Sequence, residues 1–361
     1  MQIIADRRAL HRIPELDKEL PETFRYLENA LKKLNCQVFS PVKGGLCAWF
    51  DFGADSAIAF RSDADALPIT ENSDKDYIST HPGKMHACGH DGHMAILLEL
   101  ARRLNEKKTL KHNVLLVFQG AEETDGGAKD ICQTGIFKKY HVQAIFGLHL
   151  WPQLQPGVIY SRKKEMMSRT SNVMVEFCGR SAHIAMAQKA LDATAAAVMF
   201  YTKATQMEQA LPEGVYRLLK FGQLQSGTTG NVLSAYATLA GSIRAFEDEV
   251  FEGLRDGLFA IAKEVEETTG VRVNVDVHEG YPAVMNPEAL FEKVSTIVPL
   301  ENPGKPSMTA EDFSYYQKEV PGMLFWLGIG DTPALHANNF DFKEEILLKG
   351  ADLFEKLAEN F

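Results

Sequence analysis

The sequence lacks a basic surplus, a long apolar segment and a disulfide framework. Its 361 residues carry 38 Lys and Arg against 48 Asp and Glu, so the formal net charge is −10. That balance makes nucleic acid and anionic membrane surfaces poor partner candidates. No apolar run approaches the ~20 residues that a membrane-spanning helix needs. The five cysteines are too few and too scattered for a disulfide framework. We therefore expect a cytoplasmic protein with reduced thiols.

The composition is otherwise that of a globular protein with a real core. Hydrophobic residues make up 45% of the chain and charged residues 24%, which are ordinary values. At roughly 100–200 residues per domain, the length indicates two domains.

The first part of the chain alternates apolar strands with helices, a pattern typical of a largely parallel sheet. It predicts helices at 21–35 and 87–105, and strands at 46–52, 57–61, 113–119 and 144–148. Parallel strands end at the same sheet edge, and ligands bind beyond their carboxyl ends. We therefore expect an α/β fold whose functional residues follow the strands.

The middle of the chain breaks this alternation. It reads as strand, helix, two strands, helix and strand over 172–178, 189–209, 216–225, 237–246, 248–269 and 271–278. This βαββαβ order is the split-βαβ pattern of a ferredoxin-like domain. The parallel pattern resumes after about Pro282, which indicates that the small domain is inserted into the large one.

The densest group of candidate ligands is Met-His-Ala-Cys-Gly-His-Asp-Gly-His-Met at 85–94. Thiolate and imidazole together suit zinc and its neighbours better than magnesium or calcium. Cys88 and His90 flank Gly89, whose backbone freedom allows both side chains to be aimed at one point. We expect these two to bind metal, whereas His86 and His93 have supporting roles. A cysteine nucleophile with a histidine base is an alternative, although a bound metal would quench the thiolate.

Acids and histidines follow four further predicted strands. Glu122 and Glu123 are adjacent and point oppositely in an extended segment, so one can bind metal while the other serves as a general base. Asp63 and Asp65 bind metal or orient a histidine. His149 follows one strand directly, and a strand at 323–329 leads to His336 by a short loop. Their convergence at one sheet edge predicts a single site.

Several motifs together resemble the M20 family of metallopeptidases, and more narrowly its aminoacylase-like amidohydrolase branch. The match runs in order along essentially the whole chain. Its motifs are Arg-Arg-Ala-Leu-His-Arg-Ile-Pro-Glu-Leu (7–16), Arg-Ser-Asp-Ala-Asp-Ala-Leu-Pro (61–68), the 85–91 cluster, Ala-Glu-Glu (121–123), Gly-Leu-His (147–149), Ser-Ala-His (181–183), Thr-Ala-Glu-Asp-Phe-Ser-Tyr-Tyr (309–316) and Leu-His (335–336).

The resemblance implies a catalytic domain with an inserted lid and dimerisation domain, the architecture already indicated by the pattern of strands and helices. The implied boundaries are 1–168 and 283–361 for the catalytic domain and 169–282 for the insertion. The resemblance also implies a homodimer formed through the insertion.

The resemblance further implies a site with two divalent ions per subunit, such as zinc, manganese, cobalt or nickel. Its implied metal ligands are Cys88, His90, Glu123, His149 and His336. Glu122 would be the general base, and His183, reaching the partner's active site, would stabilise the oxyanion. Asn231 and Arg244 would hold the substrate.

The expected activity is metal-dependent hydrolysis of N-acyl amino acids, with N-acetyldiaminopimelate as one candidate substrate. A dipeptidase or carboxypeptidase on the same scaffold and a catalytically silent metal-binding homologue are the alternatives. Two departures from the family pattern stand out: Gly120 replaces a usual Pro, and the residues after His183 lack the usual Pro-His pair. The second departure concerns the lid and therefore substrate specificity.

Overall fold

The computed structural model describes residues 1–361, which form two compact units. The large unit comprises Met1–Met166, Val284–Lys305 and Asp312–Phe361, and the inserted unit comprises Met167–Ala283 and Pro306–Glu311. Residues 306–311 thus group with the insertion, although the predicted boundaries assign them to 283–361. Hydrogen bonds explain the grouping, because Ser168 Oγ donates to Met308 O at 2.8 Å and Ser168 N donates to Thr309 O at 2.9 Å.

Ten α-helices are present, and no helix has the length and apolar character needed to cross a bilayer. The helices are α1 (Gln2–His11), α2 (Pro21–Leu31), α3 (His90–Asn105), α4 (Gly127–Gln133), α5 (Ile136–Lys139), α6 (Ala193–Gln209), α7 (Asp248–Thr269), α8 (Glu288–Ser295), α9 (Tyr316–Glu319) and α10 (Leu347–Asn360). Short 3₁₀ helices occupy Ile184–Lys189, Asp312–Tyr315 and Glu344–Ile346.

The chain also forms fifteen strands. They are β1 (Gln37–Phe39), β2 (Gly45–Phe50), β3 (Ala57–Asp63), β4 (Asn113–Gln119), β5 (Val142–Pro152), β6 (Ile159–Tyr160), β7 (Lys164–Met167), β8 (Arg169–Cys178), β9 (Ala182–His183), β10 (Arg217–Ser226), β11 (Val232–Leu233), β12 (Tyr236–Ala245), β13 (Arg272–Glu279), β14 (Val284–Asn286) and β15 (Gly322–Gly330).

The large unit is built on a seven-stranded sheet in the order β1-β2-β4-β3-β5-β15-β6. Its four central strands, β4, β3, β5 and β15, are parallel, whereas β1, β2 and β6 pair antiparallel at the two sides. The central strands are buried along nearly their whole length, as expected where helices cover both faces. The predicted α/β class with a mostly parallel sheet is therefore confirmed.

The inserted unit contains a four-stranded antiparallel sheet in the order β10-β12-β8-β13. Its helices α6 and α7 contribute Phe200, Leu254 and Leu258 to a separate apolar core. The strand and helix order matches the predicted ferredoxin-like pattern. The structure adds a short pair, β9 with β11, that the sequence did not predict.

Two element boundaries differ from prediction in ways that matter for the site. The helix predicted at 87–105 begins only at His90. Gly89 has a φ of +88°, which is not helical, so the helix cannot extend further towards the N-terminus. The predicted strand 144–148 extends over Val142–Pro152, so His149 lies inside a strand rather than after its end.

Candidate metal and catalytic site

The parallel strands β3, β4 and β5 bring the candidate ligands of the large unit together. The ligand atoms of Cys88, His90 and His149 all lie within 4.8 Å of one another, and so do those of Cys88, Glu123 and His336. A third such group contains His90, Glu122 and Glu123. The Sγ of Cys88 therefore belongs to two groups of three that are otherwise distinct.

Cys88 and His90 are presented by the turn into α3. Gly89 between them is left-handed, and a Cβ at this position would lie 3.0 Å from Leu150 Cδ1. The turn therefore requires glycine for both its backbone conformation and its packing. Cys88 Sγ lies 3.5 Å from His149 Nε2. Burial and nearby carboxylates raise the pKa of the Cys88 thiol well above its usual value, so a thiolate here needs a cation.

His90 has one nitrogen engaged and one available. Its Nδ1 lies 2.8 Å from the backbone oxygen of Asp65, which can only accept, so Nδ1 carries the proton. Its buried Nε2 has no hydrogen-bond partner and lies 3.5 Å from Asp63 Oδ2. An imidazole fixed through one nitrogen, with the other free, is the usual state of a metal-binding histidine.

The electrostatic environment of His90 favours a positive charge. Burial alone would lower the pKa of His90, but the charges of Asp63, Asp65 and Glu123 raise it to about 9. A metal ion bound at Nε2 would therefore take the place of a proton there. Burial also raises the pKa of Asp65 to about 6. The site thus concentrates buried acids that a cation would offset.

His149 has a nitrogen directed at the site, whereas both nitrogens of His93 are occupied by hydrogen bonds. His149 Nδ1 donates to Leu150 O at 2.7 Å, which directs its Nε2 towards Cys88. Burial, followed by the charge of His93, lowers the pKa of His149 to about 3, so this imidazole is neutral as a ligand must be. His93 has neither nitrogen free: Nδ1 donates to Asp63 Oδ1 at 2.6 Å, and Nε2 accepts from Leu150 N at 2.9 Å.

The two adjacent glutamates sit on a constrained turn after β4. Ala121 has a φ of +60°, an uncommon conformation for a residue other than glycine. Asp65 stabilises the turn, because its two carboxylate oxygens accept the backbone N–H groups of Glu122 at 3.0 Å and Glu123 at 3.1 Å. Of the options left open for Asp65, the geometry therefore favours orientation of its neighbours.

Glu123 meets His336, the most distant member of the group along the chain. Glu123 Oε1 lies 3.1 Å from His336 Nε2, and the His336 side chain is 50% exposed. Burial alone would raise the pKa of Glu123, but the hydrogen bond to His336 and the charge of His90 lower it overall. His336 itself has a φ of +67° and donates its N–H to Ala87 O at 2.9 Å.

The remaining candidate residues lie in the inserted unit. Pairing of β9 with β11 places His183 opposite Val232, and Ile184 N donates to Asn231 O at 3.0 Å. His183 and Asn231 are therefore neighbours although they are far apart in sequence. Arg244 lies on β12, and its Nη1 donates to Met308 O at 2.5 Å.

A buried polar network behind the site was not predicted. Arg61, in the buried strand β3, donates to Gln119, Asp63 and Asp312 at 2.9, 3.1 and 2.8 Å. Asp312 Oδ2 also accepts from Ala128 N at 3.0 Å. The sequence signal for this network was an arginine directly after the apolar run Ala57–Phe60, since an arginine buried with a strand needs acidic partners.

The site therefore offers one thiol, three imidazoles and one carboxylate in two groups that share Cys88 Sγ, beside a second carboxylate, Glu122. These donors suit zinc and neighbouring divalent transition metals. Such a donor set, joined to a mostly parallel α/β sheet, is that of a metal-dependent hydrolase.

Comparison with known proteins identifies the family of this chain. Residues 59–360 match the model of peptidase family M20/M25/M40, so the chain belongs to this family. It is 35% identical over 348 residues to an N-acetyldiaminopimelate deacetylase of Streptococcus uberis, covering 92% of this chain and 91% of the relative. It is 32% identical over 370 residues to an uncharacterized hydrolase of Staphylococcus haemolyticus, with 98% and 97% covered.

Among solved structures, the chain resembles the Bacillus subtilis YXEP protein, a dinuclear metal-binding peptidase of the M20 family. The TM-score is 0.85 at 27% identity, with 99% of this chain and 96% of the other covered. The prediction that this chain is an enzyme, a metal-dependent amidohydrolase of the M20 type, is confirmed.

Proposed function

We propose that this enzyme hydrolyses the amide bond of N-acyl amino acids at a site with two divalent ions. The observation that carries the proposal is the arrangement of two ligand groups that share Cys88 Sγ, one completed by His90 and His149 and the other by Glu123 and His336. Cys88, His90 and His149 would hold one ion, and Cys88, Glu123 and His336 the other. Further support comes from the dinuclear site named for the Bacillus subtilis relative.

Glu122 is the proposed general base. When bound, the two ions would lower the pKa of a water molecule towards neutrality and polarise the amide carbonyl. Glu122 accepts one proton from the attacking water and delivers it to the amide nitrogen as the C–N bond breaks. The products are a carboxylate and a free amino acid.

His183 is the proposed oxyanion donor. Its Nδ1 accepts the backbone N–H of Ala185 at 3.2 Å, so the proton of the neutral ring lies on Nε2. The Nε2–H group of this exposed side chain is therefore available to stabilise a tetrahedral oxyanion. Asn231 and Arg244 are proposed to bind the substrate carboxylate, through an amide and a guanidinium respectively.

The inserted unit is proposed to form the homodimer, through α6 and β10. The exposed residues of α6 carry no charge, and Val198 and Tyr201 among them are 52% and 42% exposed. β10 pairs only with β12, so its other edge is unpaired, and Leu224 there is 43% exposed. Helix α7, by contrast, exposes many charged residues. An uncharged face beside an unpaired strand fits a second copy of the chain.

Sedimentation analysis tests this interface. The double variant Val198→Glu, Leu224→Lys should be monomeric. It should keep its metal but lose turnover, because His183 of one subunit could no longer reach the active site of the other. Phe259→Glu provides the matched control, since Phe259 is 46% exposed on the charged helix α7. A fully active monomer would contradict the shared site, and a dimer of the double variant would contradict this interface.

A cytoplasmic location is also proposed. All five cysteines are free thiols, the state expected in a reducing compartment. Cell fractionation of the source organism would test this, and recovery outside the cytoplasm would contradict it.

A substrate panel on metal-reconstituted protein tests the activity itself. Manganese, cobalt, nickel and zinc should each be added to chelator-treated enzyme, and N-acetyl and N-benzoyl amino acids, N-acetyldiaminopimelate and dipeptides assayed side by side. We expect hydrolysis of N-acyl amino acids, with N-acetyldiaminopimelate favoured because relatives carry that name. Cleavage of dipeptides alone would indicate the peptidase alternative, and metal binding without any hydrolysis would indicate a silent homologue.

A further inference from the structure

Helix α1 lies outside the proposed ligand set, yet it carries a fully buried guanidinium. Arg7 donates from Nε to Asp91 at 2.9 Å, from Nη1 to Tyr77 at 2.8 Å and from Nη2 to Asp341 at 2.9 Å. Its Nη1 also lies 3.1 Å from Glu344 Oε1. Burying such a charge is costly even when it is paired, so the group is a candidate for a role beyond stability.

One side of this guanidinium holds the start of α3. Asp91 follows the proposed ligand His90 directly and lies in the first turn of α3. Its Oδ2 accepts from Arg7 Nε and lies 2.8 Å from His11 Nδ1, so two side chains of α1 hold the same oxygen. The position of the Cys88–His90 turn is therefore coupled to α1.

The other side holds the segment that carries His336. Asp341 lies five positions after His336, and Glu344 lies eight positions after it. No helix or strand intervenes before the 3₁₀ turn at Glu344–Ile346, so regular backbone hydrogen bonds do not fix this segment. Backbone and side-chain bonds hold this segment at several points: His336 N donates to Ala87 O, Asn72 N to Asn338 O at 2.7 Å and Lys75 Nζ to Phe340 O at 3.0 Å. The guanidinium of Arg7 adds the contact to Asp341 and links it to Asp91 in the first turn of α3.

We propose that Arg7 is a positioning residue that sets the spacing between the Cys88–His90 turn and the His336 segment. The two ligand groups that share Cys88 depend on that spacing, because the first contains His90 and the second contains His336. The inference rests on the ligand roles proposed above. Arg7 itself touches neither the proposed ligands nor the reacting atoms in this scheme.

An arginine is required because its donors point in several fixed directions in one plane. A lysine ammonium at the same position carries the charge but cannot reach Asp91 and Asp341 with a rigid planar fork. Arg7→Lys therefore keeps the positive charge but removes the simultaneous hydrogen bonds to Asp91 and Asp341. Asp341→Asn is a milder change that weakens one side only, at a side chain that is 33% exposed.

Manganese affinity, measured by calorimetry on chelator-treated protein, is the principal readout. We expect Arg7→Lys and Asp341→Asn to weaken binding of the more loosely held ion by about tenfold, the lower end of the loss caused by removing a direct partner of a metal ligand, since Arg7 acts on the ligands through Asp91 and Asp341. The rise in melting temperature on adding a fixed manganese concentration should shrink correspondingly. At saturating manganese, kcat should fall more than KM changes.

Arg12→Gln is the matched control. Arg12 follows the last residue of α1, is exposed and donates to the backbone oxygen of Asp76, so its loss removes no contact to Asp91, Asp341 or Glu344 and should leave manganese affinity and kcat unchanged. A purely structural role would lower the melting temperature of Arg7→Lys and Asp341→Asn equally with and without metal, and wild-type manganese affinity in both would overturn the inference. If the wild-type protein itself bound no manganese, the proposed metal site would be wrong instead.

Discussion

Asp65 Oδ1 accepts the backbone N–H of Glu122, the proposed base, at 3.0 Å. The second oxygen of the same carboxylate accepts from the next N–H in the chain, that of Glu123. One buried side chain thus fixes two successive peptide groups and, through them, a base and a ligand. Its own backbone oxygen also fixes the His90 ring.

Asp65→Asn should impair catalysis more than folding. The amide NH₂ would replace one acceptor and face a backbone N–H, leaving a buried donor unpaired at a cost of about 1–3 kcal/mol. Displacing Glu122 by as little as ~1 Å should lower kcat by about 100-fold. Steady-state kinetics at saturating metal measure this effect. The exposed Asp55→Asn serves as control, and unchanged kcat in Asp65→Asn would refute the positioning role.

Glu122→Gln should nearly abolish turnover while the metal content stays at the wild-type level. The amide cannot accept a proton from water, yet it preserves the size of the side chain. Metal analysis of the purified variant and an amide-hydrolysis assay provide the two measurements. Substantial activity in this variant would show that another group is the base. Loss of metal would show that Glu122 is a ligand.

His90 and His93 should respond differently to substitution, although they lie on the same helix turn. His90→Ala removes a nitrogen with no hydrogen-bond partner and should cost one bound ion per subunit. His93→Gln should keep both ions but weaken their binding by about tenfold, because both nitrogens of His93 bond Asp63 and Leu150 N and neither is free for an ion. Metal-to-protein stoichiometry distinguishes the two. Loss of an ion in His93→Gln alone would reverse the assignment.

The candidate ligands were named from the sequence by two arguments, the polar residues near the ends of apolar strands and the resemblance to the M20 family. The structure brings these residues together in two groups, although His149 lies within β5 rather than after it. The sequence predicted a supporting role for His93 but not the contact that occupies its second nitrogen, since that contact depends on Leu150 N reaching Nε2 across the fold. Nor could it reveal that Arg7 contacts both Asp91 and Asp341, which lie 84 and 334 positions away. Such contacts follow from packing of distant segments and leave no local periodicity.

Arg61→Met should destabilise the large unit by about 3–5 kcal/mol, because it leaves the buried carboxylates of Asp63 and Asp312 without their cationic partner. Denaturant unfolding of the chelator-treated protein measures the loss without the contribution of bound metal. The exposed Arg25→Met should change stability by no more than about 0.5 kcal/mol. Equal stability of both variants would mean that water or rearrangement satisfies the network.

His11 provides a pH-dependent contribution to stability that can be isolated from the metal site. Its ring is buried, with Nδ1 2.8 Å from Asp91 Oδ2 and Nε2 3.2 Å from Glu71 Oε1. Burial and the charge of Arg7 lower the pKa of His11, but the two carboxylates outweigh them and raise it overall. The rings of Tyr77 and His86 complete its surroundings.

Because the folded-state pKa of His11 exceeds its unfolded value of ~6.5, the protonated ring stabilises the fold fully below that pH. This stabilisation should decline as the pH rises above ~6.5 and vanish once the pH passes the folded-state pKa. Urea midpoints measured between mildly acidic and alkaline pH, at a fixed excess of metal, should therefore fall less steeply for His11→Gln than for the wild type. Since both proteins share the pH dependence of metal binding, the difference between their urea midpoints isolates the contribution of His11 to stability. Parallel curves would show that His11 stays neutral in the folded protein over this pH range.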